Sequence, residues 1–308
     1  MRIFKNRGDI YFSKSNKEKS KEQKILIIAL VFILIFTVLF VGIVSYQNEF
    51  SLKKFFAPNG EINVEETQNE EQTADLPLVS GKTNYAVLVK NKSNLLFTVL
   101  VQSDMDNKAF KVCTLKSSTK LDGQTVQSIF SSAQEVGVIN AIKTNFGIDV
   151  DHYMSFENTV YEDFYDSLGN VHFPLSGEIR YRQNTIEPSY SLKLSAGEQS
   201  LEGKHFVNLI RYFLEAENNT SQANELFLNA LMQQLNNKNL ADGDDLFRKF
   251  SANAITDITI RDYSLSADKL TVIASDQQPM SVYNAQAEYD GDVITQDSLK
   301  SIKGYFVK

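Results

Sequence analysis

A chain of 308 residues with 43% hydrophobic and 22% charged side chains has the composition of a globular protein, and its 14 Gly and 5 Pro exclude collagen-like and Pro-rich architectures. A single cysteine, Cys113, excludes an intrachain disulfide framework and a Cys-based zinc cluster. The net charge of −7 argues against nucleic acid as a partner, because phosphate contacts need clustered Lys and Arg.

The charge is unevenly placed. Residues 1–24 hold eight Lys/Arg against three acids, a net +5, so the remaining chain carries −12. From Ile25 to Tyr46 run 22 residues without a charge, enough as a helix to cross the hydrocarbon core of a bilayer. A cleavable leader has a shorter apolar core and a small-residue cleavage site after it, whereas this run is followed by Gln47, Asn48 and Glu49. The basic flank precedes the span, which predicts a cytoplasmic N-terminus, a single-pass signal anchor and a C-terminal mass outside the cell membrane. Residues 47–80 read as an acidic extracellular stalk: Glu61, Glu65, Glu66, Glu70, Glu71 and Asp75 occur there with no basic residue between Glu61 and Leu76.

Residues 81–308 read as one domain. Tyr85–Val89, Leu95–Gln102 and Phe110–Leu115 are β-branched and aromatic and predict strands, the last two joined by a polar turn. Asp104 and Asp106 in that turn lack the Gly and distal Glu of a calcium loop. Val126–Phe146 predicts a helix with a break near Gly137, and Val126, Ile129, Phe130 and Ala133 fall on one face. Strands are expected at His152–Phe156, Val171–Leu175 and Tyr190–Leu194, with a short helix at Glu157–Leu168. Gly203–Ala216 is a strong amphipathic helix through Phe206, Leu209, Ile210 and Phe213. Ala223–Leu235 and Leu246–Phe250 continue as helix. Ile255–Ile260 and Leu270–Ala274 read as extended, and Ser298–Val307 closes the chain. Interleaved strands and helices predict an α/β fold, a three-layer α/β/α domain with a mixed central β-sheet.

Residue types alone reveal little chemistry. No Walker loop, dinucleotide fingerprint, His-Glu-x-x-His or Gly-x-Ser-x-Gly is present. His152, His172 and His205 lack ligand spacing, no metal site is indicated, and Cys113 lies in a strand as a small core residue.

An ordered set of segments resembles the LytR-CpsA-Psr (LCP) family of bacterial envelope proteins. Phe110–Thr119 is similar to the strand that ends in the family's Pro-Arg-Asp motif, and Phe146-Gly147-Ile148-Asp149 with Tyr153–Phe156 to its Gly-Ile passage. Tyr165-Asp166-Ser167-Leu168-Gly169-Asn170-Val171 is similar to Val-Asp-x-Leu-Gly-Gly-Val. Ser195–Gly203 is similar to the segment ending in Leu-Asp-Gly, and Thr256-Asp257-Ile258 to the Thr-Asn/Asp-Ile near the domain end. The resemblance implies a signal anchor and an external α/β/α domain. It also implies transfer of glycopolymers from a polyprenyl-pyrophosphate carrier to peptidoglycan with Mg²⁺, and a lipid tail in an apolar cavity under the sheet.

The positions that carry charge in the family are neutral here. Its acid after the first strand is matched by Asn94, and its Arg-Asp pair by Ser117 and Ser118. The first arginine of its long helix is matched by Arg211, but the second by Phe213. In the following Asp-x-Gly-Arg-x-x-Arg-Gln, Glu217 stands for the acid and Thr220 and Ala223 for the arginines. Loss of these groups removes the bidentate and charge-assisted contacts that stabilise a transferring phosphoryl group. The expectation is a non-catalytic LCP-like pseudoenzyme outside a Gram-positive-type cell, active in envelope biogenesis by binding a polyprenyl-phosphate lipid, a cell-wall glycopolymer or an envelope-synthesis protein. Arg211, Arg180 and Arg182 are the candidate phosphate contacts, and Phe206, Leu209, Phe213 and Leu226 the candidate cavity lining. The alternatives are a divergent active phosphotransferase, which would need Mg²⁺, and a structural or assembly protein of the envelope.

Overall fold

The computed structural model describes residues 80–235, 237–275 and 280–307. The basic segment, the expected membrane span and nearly all of the expected stalk lie outside the described residues. Among the described ones, no helix is long and apolar enough to cross a membrane.

Strands β1 (Lys82–Asn91), β2 (Asn94–Asp104) and β3 (Ala109–Lys116) form an antiparallel meander. Because side chains alternate along a strand, Ala86, Leu88, Leu100, Cys113 and Leu115 enter one core, while Val89, Phe97, Val99 and Val112 enter the other. The β2–β3 turn is closed by Asp104, which accepts from the Asn107 backbone N–H at 3.2 Å and pairs with Lys111 at 3.0 Å. Its carboxylate therefore serves the turn. Burial pushes the Cys113 thiol up to about 12, consistent with an inert core residue.

Strands β4 (Lys120–Leu121) and β5 (Gln124–Thr125) lead into helix α1 (Val126–Phe146), whose N-cap is the Thr125 hydroxyl accepting from Ser128 N–H. The break expected near Gly137 falls at Gln134, where φ is 55°. Gly137 is what permits it: a Cβ there would lie 2.4 Å from that of Ala133. The kink re-phases the buried stripe, which runs through Val126 and Phe130 and then through Glu135, Val138, Ile142 and Phe146, leaving Ala133 exposed.

Strand β6 (His152–Glu157) lies parallel to β1 and leads into α2 (Asn158–Leu168). Four strands follow: β7 (Val171–Leu175), β8 (Ile179–Gln183), β9 (Tyr190–Leu194) and β10 (Gly197–Leu201). They form two ribbons outside the main sheet, β7–β10 and β8–β9. Helices α3 (Gly203–Glu215), α4 (Thr220–Gln234), α5 (Asn237–Ala241) and α6 (Gly243–Ser251) come next. The chain ends in β11 (Ala254–Thr256), α7 (Ile260–Ser275), β12 (Ser281–Asn284), β13 (Tyr289–Asp290), β14 (Val293–Ile294) and α8 (Gln296–Tyr305).

The central sheet is mixed, in the order β11-β6-β1-β2-β3-β12. Side chains of α1 and α8 (Val138, Ile142, Ile302) fill the core on one face. Those of α2, α3, α4 and α6 (Tyr161, Phe206, Leu226, Phe250) fill the other, so helices cover both faces of the sheet.

Two expected strands are corrected. Leu270–Ala274 belongs to α7, and in Ile255–Ile260 the strand is confined to Ala254–Thr256. A reciprocal cap starts the helix: Asp262 N–H donates to the Thr259 hydroxyl at 3.2 Å, while Thr259 N–H donates to the Asp262 carboxylate at 2.9 Å. That capping box sets a helical start and outweighs the β-branched composition of the later residues.

Candidate functional site

Three of the positions matched to the family's charged residues, Asn94, Ser117 and Ser118, lie at the C-terminal end of β3, where three segments converge. Gln127 ties two of them together: its N–H donates to Ser117 O at 2.9 Å, and its Oε1 accepts from Leu95 N–H at 2.6 Å. Asn94, exposed at the start of β2, is thereby held near Ser117. The third segment is the tip of the β13–β14 hairpin. Ser118 Oγ donates to Asp292 Oδ1 at 2.8 Å, and the Thr119 and Tyr289 hydroxyls lie 2.8 Å apart.

Two lysines stand at this junction: Lys120 is exposed, and Lys116, the more buried of the two, is fully engaged. Its Nζ donates to Asn218 Oδ1 at 2.9 Å and to Gly291 O at 3.1 Å, and lies 3.4 Å from Asp292 Oδ1. It also sits 4.2 Å from the centre of the Tyr289 ring, a cation–π distance. The Ser118 hydroxyl and the neighbouring Lys116 and Lys120 hold the Asp292 carboxyl below its ordinary value. An internal carboxylate thus takes the cation that would otherwise face an anionic ligand.

The start of α4 is equally committed. Thr220 Oγ1 donates to Ala287 O at 2.7 Å and accepts from Ala287 N–H at 3.0 Å. Asn224 Oδ1 accepts from Thr114 N–H at 2.7 Å, and its Nδ2 donates to Asn284 Oδ1 at 2.8 Å. Ala223 is fully buried. These side chains fasten α4 to the sheet and to the segment after β12. Glu217 is exposed and accepts from the Tyr212 hydroxyl, which it pushes up to about 12.

Arg211 takes no part in these contacts. It is 1% exposed, donating from Nε to Glu215 Oε1 at 3.0 Å and from Nη1 to Pro188 O at 2.8 Å, and it stacks 4.3 Å from the Tyr190 ring centre. Its Nη2 is buried without a hydrogen-bond partner among the described residues. Burial raises the Glu215 carboxyl, and Arg211 offsets part of that. The guanidinium serves as an internal strut between α3 and the β8–β9 ribbon. Arg180 and Arg182 lie on the outer side of that ribbon. Arg180 pairs with Glu178 at 2.6 Å, and Arg182 borders a polar surface groove with Lys204, His205 and Glu202. Neither joins the Lys116 junction. The carboxylate at that junction, Asp292, is already held by Ser118 and Lys116, so the residues present do not fit Mg²⁺, which binds through carboxylate oxygens. Among the described residues no cluster of three His, Cys, Asp or Glu side chains is placed to hold a metal ion.

An apolar cavity of about 420 Å³ lies under the sheet on the side of α2, α4 and α6. Its walls include Val87, Val101, Phe164, Phe227, Leu231 and Phe247. Phe206, Leu209, Phe213 and Leu226, expected to line it, do not: they are packed solid in the adjoining core, at most 3% exposed. Phe227, one residue beyond Leu226, does line it. The register places the cavity toward the N-terminal ends of β1 and β6, where Thr83, Tyr85 and His152 border it. Lys116, Asn94 and Ser117 stand at the opposite end of the sheet, and none of them borders the cavity.

Sequence reasoning missed Lys116 and Asp292, although Lys116 directly precedes the Ser117-Ser118 pair. Asp292 is 174 residues from Ser118, so no local pattern announces the contact.

Comparison with known proteins agrees with this architecture. The profile of the LytR_cpsA_psr family matches residues 104–303. A Eubacterium siraeum protein labelled a transcription regulator superposes with a TM-score of 0.64 at 16% identity, covering 80% of this chain and 98% of that one. TagV of B. subtilis gives 0.58 at 14% identity, over 74% and 96%. A structure of TagT bound to LIIa-WTA gives 0.55 at 13% identity, over 79% and 96%. No curated protein sequence matches the chain. With the matched profile spanning most of the domain, the chain belongs to the LytR-CpsA-Psr family.

Proposed function

We propose that this chain is a membrane-anchored, outward-facing LCP protein that takes part in cell-wall glycopolymer transfer without carrying out the phosphoryl step itself, and that it binds the isoprenoid chain of a polyprenyl-phosphate lipid. One observation carries the reading: Lys116, which directly precedes the Ser117-Ser118 pair, is neutralised by the protein's own Asp292, while an apolar cavity remains beneath the sheet. Phosphoryl transfer needs cations placed where charge develops on the bridging oxygen. Ser117, Ser118, Thr220 and Ala223 supply none, and Lys116 is held by four partners. An apolar chain asks for nothing beyond desolvated surface. At about 0.8 kcal/mol per buried methylene, the tail alone supplies the affinity, and the phosphate need not reach Lys116.

TagT is a family relative seen with LIIa-WTA, which supports a lipid-linked glycopolymer as the ligand class. The basic N-terminal segment and the apolar run at Ile25–Tyr46 support an anchored protein facing outward. Full-length protein incubated with a short polyprenyl pyrophosphate and Mg²⁺ tests the reading by native mass spectrometry. An intact adduct without release of the monophosphate is expected. Conversion to the monophosphate would make the protein a divergent phosphotransferase, and absence of any adduct would favour an assembly role with protein partners.

A further inference from the structure

The cavity and the Lys116 junction sit at opposite ends of the sheet, so the way into the cavity is a separate question from phosphate recognition. Three observations locate that way in. Thr83 borders the cavity and stands three residues after Ser80, where the described chain begins and the expected stalk ends. Tyr85 and His152, paired in register across β1 and β6 and stacked at 5.9 Å, border the same end. Helix α7 forms the remaining rim through Asp262, Tyr263 and Ser266, with the Ser266 hydroxyl 3.3 Å from that of Tyr85.

The same stretch of α7 carries two large apolar side chains in the open. Ile260 is 72% exposed and Leu265 is 55% exposed. They flank rim residues on a helix whose inner side faces the cavity, and Arg261 is exposed beside Ile260. An isoprenoid chain crosses water only at the full hydrophobic penalty, so an apolar mouth near Ser80, where the described chain begins, is suited to receive it directly from acyl chains. Exposed aliphatic side chains next to a cation are suited to the interfacial zone of a bilayer.

We propose that the mouth end of the domain docks on the outer surface of the bilayer, with Ile260 and Leu265 inserted among the acyl chains so that a lipid tail enters the cavity without crossing water. The entry route rests on the lipid-binding reading above. The bilayer contact does not, and it is measured in vesicles that contain no polyprenyl lipid.

The chain has no tryptophan, so single reporters are unambiguous. Ile260→Trp, Leu265→Trp and, as a control on α1 across the sheet, Val136→Trp are each made in the full chain. Val136 is 58% exposed, so all three substitutions are on the surface and leave the cores intact. Each protein is reconstituted in phosphatidylglycerol–phosphatidylcholine vesicles with acyl chains brominated at about 5–10 Å below the headgroups, the depth of an interfacial helix. The expected result is blue-shifted emission with strong bromine quenching for Ile260→Trp and Leu265→Trp, and neither effect for Val136→Trp. Equal quenching of all three, or of none, overturns the proposal. A blue shift without quenching also overturns it and assigns the surface to a protein cover, either a second copy or the Phe50–Phe56 segment that precedes the stalk's acidic run. A protein that fails this test yet still forms the lipid adduct separates loss of docking from loss of lipid binding.

Discussion

Lys116 holds its charge against four partners contributed by two distant segments, Asn218 before α4 and the tip of the β13–β14 hairpin. The Asp292 carboxyl, held low first by the Ser118 hydroxyl and then by Lys116, is the titrating member. Its folded-state value lies below the unfolded one, so its contribution is complete above about pH 4 and is lost as pH falls through the folded-state value. A carboxyl-carbon NMR titration is expected to give Asp292 a midpoint below that of an unperturbed Asp. Ser118→Ala should move it upward, and Lys116→Met should do so by a smaller step. An unmoved midpoint in both variants would show that the junction does not form. Arg211 makes a contrasting case. It is matched to the first arginine of the family's long helix, yet here it is buried against Glu215 and Pro188. Arg211→Ala leaves the Glu215 carboxylate buried and unpaired, which is expected to reduce stability by about 3–5 kcal/mol in urea denaturation. The lipid adduct should persist, whereas loss of the adduct in a folded variant would assign Arg211 to ligand binding.

At the scale of elements, Gly203 shows how tightly the helical layer is set. A Cβ at that position would lie 2.0 Å from Glu162 O, and its N–H donates to Asp166 Oδ1 at 2.6 Å. The first turn of α3 therefore rests directly on the backbone of α2. Gly203→Ala forces the two helices apart and is expected to destabilise by about 1–3 kcal/mol, read as a lowered Tm; an unchanged Tm would deny the close approach. This glycine ends the Leu201-Glu202-Gly203 segment that resembles a family motif, and the structure supplies its physical reason. Strands β1, β2, β3 and β6 were legible from their β-branched and aromatic composition, and helices α2 to α4 from apolar spacing that matches their burial; α1 was legible as a helix, but the kink at Gln134 moves its buried stripe off the expected face. Helix α7 was not, since its signal lay in the Thr259–Asp262 cap while its later residues have strand-like composition. The small β13–β14 hairpin, two residues per strand, offers no periodicity to read, yet it carries Asp292 to the junction. The cavity lining was misassigned for a similar reason: Phe206, Leu209, Phe213 and Leu226 have the right chemistry. Which apolar side chains face a void and which fill the core depends on how α2, α4 and α6 pack.

At the scale of the whole molecule, one face of the sheet is closed by α1 and α8, while the other retains an unfilled volume. Val87 and Met154, on two adjacent strands of the sheet, border that volume and remain half-buried. A larger residue on this wall should occupy the space a lipid tail would take. Val87→Phe is expected to keep or raise Tm, because it adds buried apolar surface in a roomy site, and to abolish the lipid adduct. A stable Val87→Phe protein that binds lipid as well as the parent would place the ligand elsewhere. The division of the domain into a neutralised polar end and an open apolar end is the central claim. Native mass spectrometry of the full chain with a short polyprenyl pyrophosphate and Mg²⁺ tests it most directly. An intact 1:1 adduct with no polyprenyl monophosphate is predicted, and appearance of the monophosphate would contradict the account.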